Sequence, residues 1–181
     1  RTSLLDIRNC RWDSELLAMF RAPASMMPEV RDNMSEFGKT KAEWFGREIP
    51  VLAMIGDQQS AAVGQACLAP GDIKSTYGTG CFVLAPIPGF ALSRARLLTT
   101  VSRKINGETR YALEGSIFIA GAAVQWLRDS LGVIKSSAET EALARSLSSN
   151  NGVYLVPAFA GLGAPHWKAE ARGIISGLTR G

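Results

Sequence analysis

Three cysteines and a single histidine are present in this 181-residue chain. Cys10, Cys67 and Cys81 are odd in number and their spacing fits no zinc pattern. The expectation is reduced thiols in a cytoplasmic protein. His166 stands alone in Gly163-Ala164-Pro165-His166-Trp167, with no Ser-His-Asp set around it, and reads as a structural or surface residue. No apolar run approaches the ~18 residues of a membrane span, and no signal peptide is visible. The Walker A pattern is missing, as are internal repeats and low-complexity stretches. Basic residues exceed acidic ones by 20 to 16, a net charge of +4. They are scattered, with the densest stretch at Arg94, Arg96, Arg103 and Lys104. Without a basic helix or an aromatic-interleaved basic tract, a nucleic-acid surface is not indicated.

What remains is an ordinary globular composition, 46% hydrophobic and 20% charged, at roughly one domain's length. The chain starts at Arg1, and Ile174 to Thr179 reads like the middle of a fold, so a piece of a longer protein is expected. A strand is expected over 2–7, then a helix over 12–20 with Asp13 as N-cap. Residues 39–47 read as polar and exposed, 49–55 as a buried strand, and 60–66 as a helix of small residues. Residues 73–85 read as a hairpin bent at Gly78-Thr79-Gly80. Asn106-Gly107 between two strand-like runs is a strong hairpin signal. A helix from Gly121 to Leu131 ends at Gly132, and Ser136 with Glu139 gives a capping box for another, running to about Leu147. A last strand covers 153–159. This order is α/β, with a composition break near 67–70 that suits a domain junction.

The chemistry centres on Asp57. An apolar run that stops on Gly56-Asp57 delivers a carboxylate to a strand end, the edge of an α/β sheet where ligands bind. An aspartate of ordinary pKa, about 3.9, is ionised at neutral pH and can take a hydroxyl proton as that oxygen bonds to phosphorus. It could equally ligate magnesium, or simply cap the helix that follows. Gln58 and Gln59 could hydrogen-bond a polyol or serve as first-turn polar residues. Gly78-Thr79-Gly80 suits either a phosphate approached by backbone or a plain turn. Gly121 and Gln125 share one helix face, and Gly121 lies at a helix start, where amides favour an anion. The bland readings there are a packing glycine and an exposed glutamine.

The order and wording of several segments say more than any one of them. Leu4-Leu5-Asp6-Ile7, Trp12-Asp13, Pro28-Glu29-Val30, Gly56-Asp57-Gln58-Gln59, Tyr77-Gly78-Thr79-Gly80-Cys81-Phe82, Gln125-Trp126-Leu127-Arg128-Asp129 and Ala171-Arg172-Gly173 form a series. From Thr2 to Thr179 it resembles the FGGY carbohydrate kinase family, in its glycerol branch. The resemblance implies an actin-like, ribonuclease-H-like ATPase fold of two domains. Residues 1–65 would finish the N-terminal domain and 66–181 would begin the C-terminal one. It implies transfer of a phosphoryl group from ATP, with Mg2+, to glycerol or a similar polyol, in a cytoplasmic enzyme that is a homo-oligomer at full length. Asp57 matches the family's catalytic base, which also contacts glycerol. Gln58 and Phe82 match further substrate contacts; Thr79, Gly121 and Gln125 match nucleotide contacts. No residue of this chain matches a metal ligand. The family's N-terminal phosphate loop and its later adenine site fall outside these residues, so the fragment alone is not expected to catalyse.

One departure stands out. Regulated members carry Gly-Thr-Arg before Ile-Pro and bind fructose 1,6-bisphosphate there. Here Gly46-Arg47-Glu48 precedes Ile49-Pro50. A glutamate repels phosphate, so weak or absent inhibition is expected. Two alternatives stand beside glycerol phosphorylation: another polyol or sugar as acceptor, and a non-catalytic actin-like nucleotide-binding module.

Overall fold

The computed structural model describes residues 2–180. It divides into two compact units that are not contiguous in sequence. The first holds the residues up to Asp72 with Ala85–Leu92 and Thr99–Leu113; the second holds Ile73–Leu84, Ser93–Leu98 and the chain from Glu114 on.

The first unit opens with a short hairpin, β1 (Leu5–Asp6) against β2 (Arg11–Trp12). Helix α1 (Ser14–Met19) follows, and the Asp13 carboxylate accepts from the Glu15 and Leu16 amides, as its sequence position indicated. Beyond a 3-10 turn at Ala24–Met26, β3 (Gly38–Lys39) pairs with β4 (Pro50–Val51) across a one-turn helix, α2 (Ala42–Phe45). Residues 39–47 are exposed apart from the half-buried Thr40, but not uniformly polar: Trp44 is 74% accessible.

The buried strand expected over 49–55 is not found. Only Pro50–Val51 pair as strand, and Leu52 and Met54 are each 57% exposed. An apolar run reports a capacity for burial, and nothing among the described residues covers this one. Helix α3 (Asp57–Gly64) also starts three residues earlier than expected, because Gly56 is extended (φ −66, ψ 149) and Asp57 satisfies a first-turn amide.

Within this unit Leu17, Ala62, Cys67, Tyr111 and Ala112 are buried. The Tyr111 hydroxyl donates to the Ile7 carbonyl at 3.0 Å, and its ring meets Phe90 edge-on at 5.6 Å. The Arg8 guanidinium lies 4.6 Å over Phe90.

β5 (Lys74–Tyr77) and β6 (Cys81–Ile87) form the expected antiparallel hairpin, with Thr76 opposite Phe82. β7 (Leu98–Ile105) and β8 (Glu108–Ile117) flank Asn106-Gly107, both at positive φ (52° and 77°), the geometry that favours Asn-Gly in two-residue turns. The four strands hydrogen-bond in the order β5-β6-β8-β7. The boundary between the units falls within β6, after Leu84, within β7, after Leu98, and within β8, after Leu113.

In the second unit, α4 (Gly121–Asp129) ends at a left-handed Gly132 (φ 65°), beyond which the Val133 amide returns to the Leu127 carbonyl. Ahead of α5 (Glu139–Arg145), the Glu139 carboxylate accepts from the Ser136 amide at 2.9 Å, the reach-back half of a capping box. β9 (Tyr154–Val156) pairs with β10 (Ile174–Ser176). Cys81, Leu84, Ile134 and Ala158 are this unit's buried apolar residues.

Candidate active site

Asp57 is the first residue of α3 and is exposed. Its Oδ1 accepts from the Gln58 amide at 2.8 Å. The N-cap position itself is Gly56, with no side-chain cap bond, so Asp57 is an exposed first-turn carboxylate and not the helix cap that its sequence also allowed. A helix N-terminus favours negative charge, so the carboxylate stands where the backbone field supports it. Gln58 is half-buried, whereas Gln59 turns inward, 6% exposed, with its Oε1 lacking a partner among the described residues. The two glutamines, equivalent in sequence, have separate surroundings. Gln59, Ile55 and Gly56 help line a cavity of about 450 Å³ that also takes Trp12 and Ser102; Asp57 is not part of its wall.

What delivers Asp57 is the irregular approach from Leu52 to Gly56. It is held by Asn33: the Met54 amide donates to the Asn33 carbonyl at 2.9 Å, and Asn33 Nδ2 donates to the Met54 carbonyl at 2.8 Å. Asn33 was not singled out in the sequence. It lies in a loop, and only the fold reveals its partners.

In the second unit, the Gly78-Thr79-Gly80 tip is fastened to the start of α4. The Ala120 and Ala122 amides donate to the Thr79 carbonyl at 2.8 and 3.1 Å, and the Gly121 amide donates to the Gly78 carbonyl at 2.9 Å. The amides that a helix start would offer an anion are thus already engaged by the hairpin. Gly121 has a packing reason instead: a Cβ there would lie 2.5 Å from the Gly78 carbonyl oxygen. Gly80 is similar, with 2.6 Å to the Ile117 carbonyl oxygen. Thr79 is exposed at the tip, and Phe82 is half-buried at the start of β6. Gln125 is exposed one helical turn beyond Gly121. Next to it Trp126 packs on Phe159, ring centroids 4.8 Å apart.

The six singled-out residues thus fall into two groups: Asp57 and Gln58 at the head of α3 in the first unit, and Thr79, Phe82, Gly121 and Gln125 around the hairpin and α4 in the second. Among the described residues no cluster of three or more His, Cys, Asp or Glu side chains could hold a metal ion. Among the described residues no helix is long and apolar enough to cross a membrane.

Residues 1–64 match the FGGY family of carbohydrate kinases, N-terminal domain, and residues 73–181 match the C-terminal domain of the same family. The chain belongs to the FGGY family of carbohydrate kinases. Among this FGGY chain's relatives, the glycerol kinase of Rhodospirillum centenum is 60% identical across 99% of the chain, and that of Alcanivorax borkumensis is 58% identical, also across 99%. The chain spans about 36% of the length of each. A solved Plasmodium falciparum glycerol kinase with ADP is 39% identical, with TM-score 0.86 over 98% of this chain and 36% of its own. A ligand-bound xylulose kinase from Lactobacillus acidophilus, 19% identical, has TM-score 0.82 over 98% of this chain and 37% of its own, a likeness of fold. The α/β, actin-like and ribonuclease-H-like fold expected from sequence is that of this FGGY chain and its sugar-kinase neighbours.

Proposed function

We propose that this chain is part of an ATP-dependent glycerol kinase that forms glycerol 3-phosphate. The observation that carries the reading is 55–60% identity to glycerol kinases over essentially the whole chain. In this reading the Asp57 carboxylate takes the proton of the acceptor hydroxyl as its oxygen bonds to the γ-phosphorus. The bond from that phosphorus to the bridging oxygen breaks, and ADP leaves with the electron pair. Exposure of Asp57 at the head of α3 supports this, since an acceptor must reach it. Gln58 holds a second hydroxyl, and Phe82 packs on the acceptor carbons. Thr79 faces the nucleotide phosphates from the hairpin tip. Gly121 and Gln125 line the nucleotide; with its amide engaged, Gly121 would act through the close approach of its Cα.

The ADP in the related P. falciparum structure supports ATP as donor. Among the described residues no three His, Cys, Asp or Glu side chains cluster; Mg2+ would be held chiefly by nucleotide phosphates, and no step is assigned to it. The matches to residues 1–64 and 73–181 support a domain assignment of 1–65 and 66–181. We place the enzyme in the cytoplasm as a homo-oligomer.

The test is steady-state kinetics of the full-length protein containing this chain. Glycerol-dependent ADP production is expected, and Asp57→Asn should lower kcat by about 10²–10⁴-fold, the usual contribution of a general base. A near-normal kcat in that variant would refute the role of Asp57. Turnover with a sugar in a substrate panel, but not with glycerol, would move the protein elsewhere in the family. ATP hydrolysis indifferent to every polyol would favour a non-catalytic nucleotide-binding module.

A further inference from the structure

Asn33 uses all four of its polar groups, two in each direction. Its backbone amide donates to the Lys104 carbonyl at 2.8 Å, and its Oδ1 accepts from the Lys104 amide at 2.7 Å. Its backbone carbonyl and Nδ2 bind the amide and carbonyl of Met54 at 2.9 and 2.8 Å. One side chain therefore joins β7 to a residue three positions before Asp57. The neighbouring Asp32 reinforces the same anchor: Oδ2 accepts from the Gly107 amide at 2.6 Å, and Oδ1 pairs with Lys104 Nζ at 3.2 Å. All of these residues lie in the first unit.

The need for such an anchor comes from the approach itself. Residues 52–56 pair with no strand, and Leu52 and Met54 are largely exposed, so packing alone does not fix them. We propose that Asn33 is a positioning residue for Asp57, holding the approach in register with β7 so that the carboxylate meets the acceptor hydroxyl. This rests on the reading of Asp57 as the base. Catalysis is sensitive to such placement, because a displacement of about 1 Å at the reacting group can cost on the order of 10²-fold in rate. Asparagine is specifically suited: one end of the amide accepts from Lys104 and the other donates to Met54. Aspartate keeps the acceptor but places an oxygen against the Met54 carbonyl. Serine is too short to span both.

The experiment compares Asn33→Asp, Asn33→Ser and Tyr111→Phe with wild type in the full-length protein. It measures kcat and KM for glycerol and ATP, together with Tm and folded fraction. Tyr111→Phe removes one hydrogen bond to Ile7 in the same unit, leaves every Asn33 bond in place, and serves as the stability control. The expected result is a roughly 10- to 100-fold fall in kcat for both Asn33 variants. KM for ATP should stay within about twofold of wild type, while Tyr111→Phe lowers Tm and leaves kcat unchanged. A folded Asn33→Asp with kcat within twofold of wild type overturns the proposal. So does a kcat that tracks Tm across all three variants, or failure of both Asn33 variants to fold, since each makes Asn33 a stability residue. A wild-type protein inactive on every polyol and sugar defeats the functional reading instead. Active wild type with active Asn33 variants defeats only this inference.

Discussion

Replacing Gly121 with alanine sets two effects against each other, and the structure says which wins. Alanine gains about 1 kcal/mol over glycine in a helix, partly by restricting the unfolded chain. Gly64, the last residue of α3, should show that gain unopposed, because a Cβ there meets nothing within 4 Å. At Gly121 the new methyl would stand 2.5 Å from the Gly78 carbonyl oxygen, a backbone atom that cannot rotate aside. Relieving the overlap means separating hairpin from helix, which stretches the 2.9 Å Gly121–Gly78 hydrogen bond and its two neighbours to Thr79. Overpacking of this kind costs roughly 1–3 kcal/mol, and weakened hydrogen bonds about 1 kcal/mol more. Set against the helical gain, Gly121→Ala should destabilise by about 1–3 kcal/mol while Gly64→Ala is neutral or stabilising. The two variants then differ by roughly 1–4 kcal/mol. At about 2–4 °C per kcal/mol for a chain of this size, that is a Tm gap of roughly 2–16 °C. Thermal unfolding followed by circular dichroism measures it. Equal melting temperatures would refute the argument that the hairpin tip and α4 are locked together by backbone contact.

Two further outcomes follow from charges. The Asp32 carboxyl is held below its ordinary range, first by the Gly107 amide and then by Lys104. A depressed folded-state pKa contributes stability above the unfolded value, about 3.9, and loses it as pH falls through the folded value. Asp32→Asn should therefore lower Tm at pH 7, with the gap to wild type narrowing below about pH 4; parallel Tm–pH curves would contradict this. Glu48 pairs with Lys39 at 3.4 Å on the exposed β3–β4 hairpin, so it both repels phosphate and occupies a neighbouring cation. The full-length protein should be insensitive to fructose 1,6-bisphosphate at ordinary effector concentrations. Glu48→Arg should tighten its binding roughly 10- to 100-fold, from about 1.5–3 kcal/mol of charge-assisted hydrogen bonding. Inhibition of the unaltered full-length protein in an effector titration would overturn that reading.

Features decided by neighbours in sequence were the legible ones. Asp13 caps α1 because its carboxylate needs to reach only two and three residues ahead, and Asn106-Gly107 turns because those residues tolerate positive φ. The run 49–55 misled for the opposite reason. Its burial depends on what lies over it, which no local pattern encodes, and it proved short and exposed. For Asp57 the sequence left an acid for chemistry and a helix cap both open; the fold gives the N-cap to Gly56 and leaves Asp57 exposed in the first turn. Gly121 illustrates a subtler limit. A glycine at a helix start signals close approach without saying to what, and its neighbour is the Gly78 carbonyl. Asn33 gave no signal, because its bonds to Met54 and Lys104 span 21 and 71 residues.

The fastening of Gly78-Thr79-Gly80 to α4 bears on affinity as well as shape. Ordering a residue's backbone costs about 1–2 kcal/mol, so ordering a free three-residue tip on binding would cost roughly 3–6 kcal/mol. Here three amides of the 120–122 segment have already imposed that order during folding. A ligand meeting Thr79 would find the turn set and keep that energy as binding strength, on the order of 10²–10⁴ in Kd.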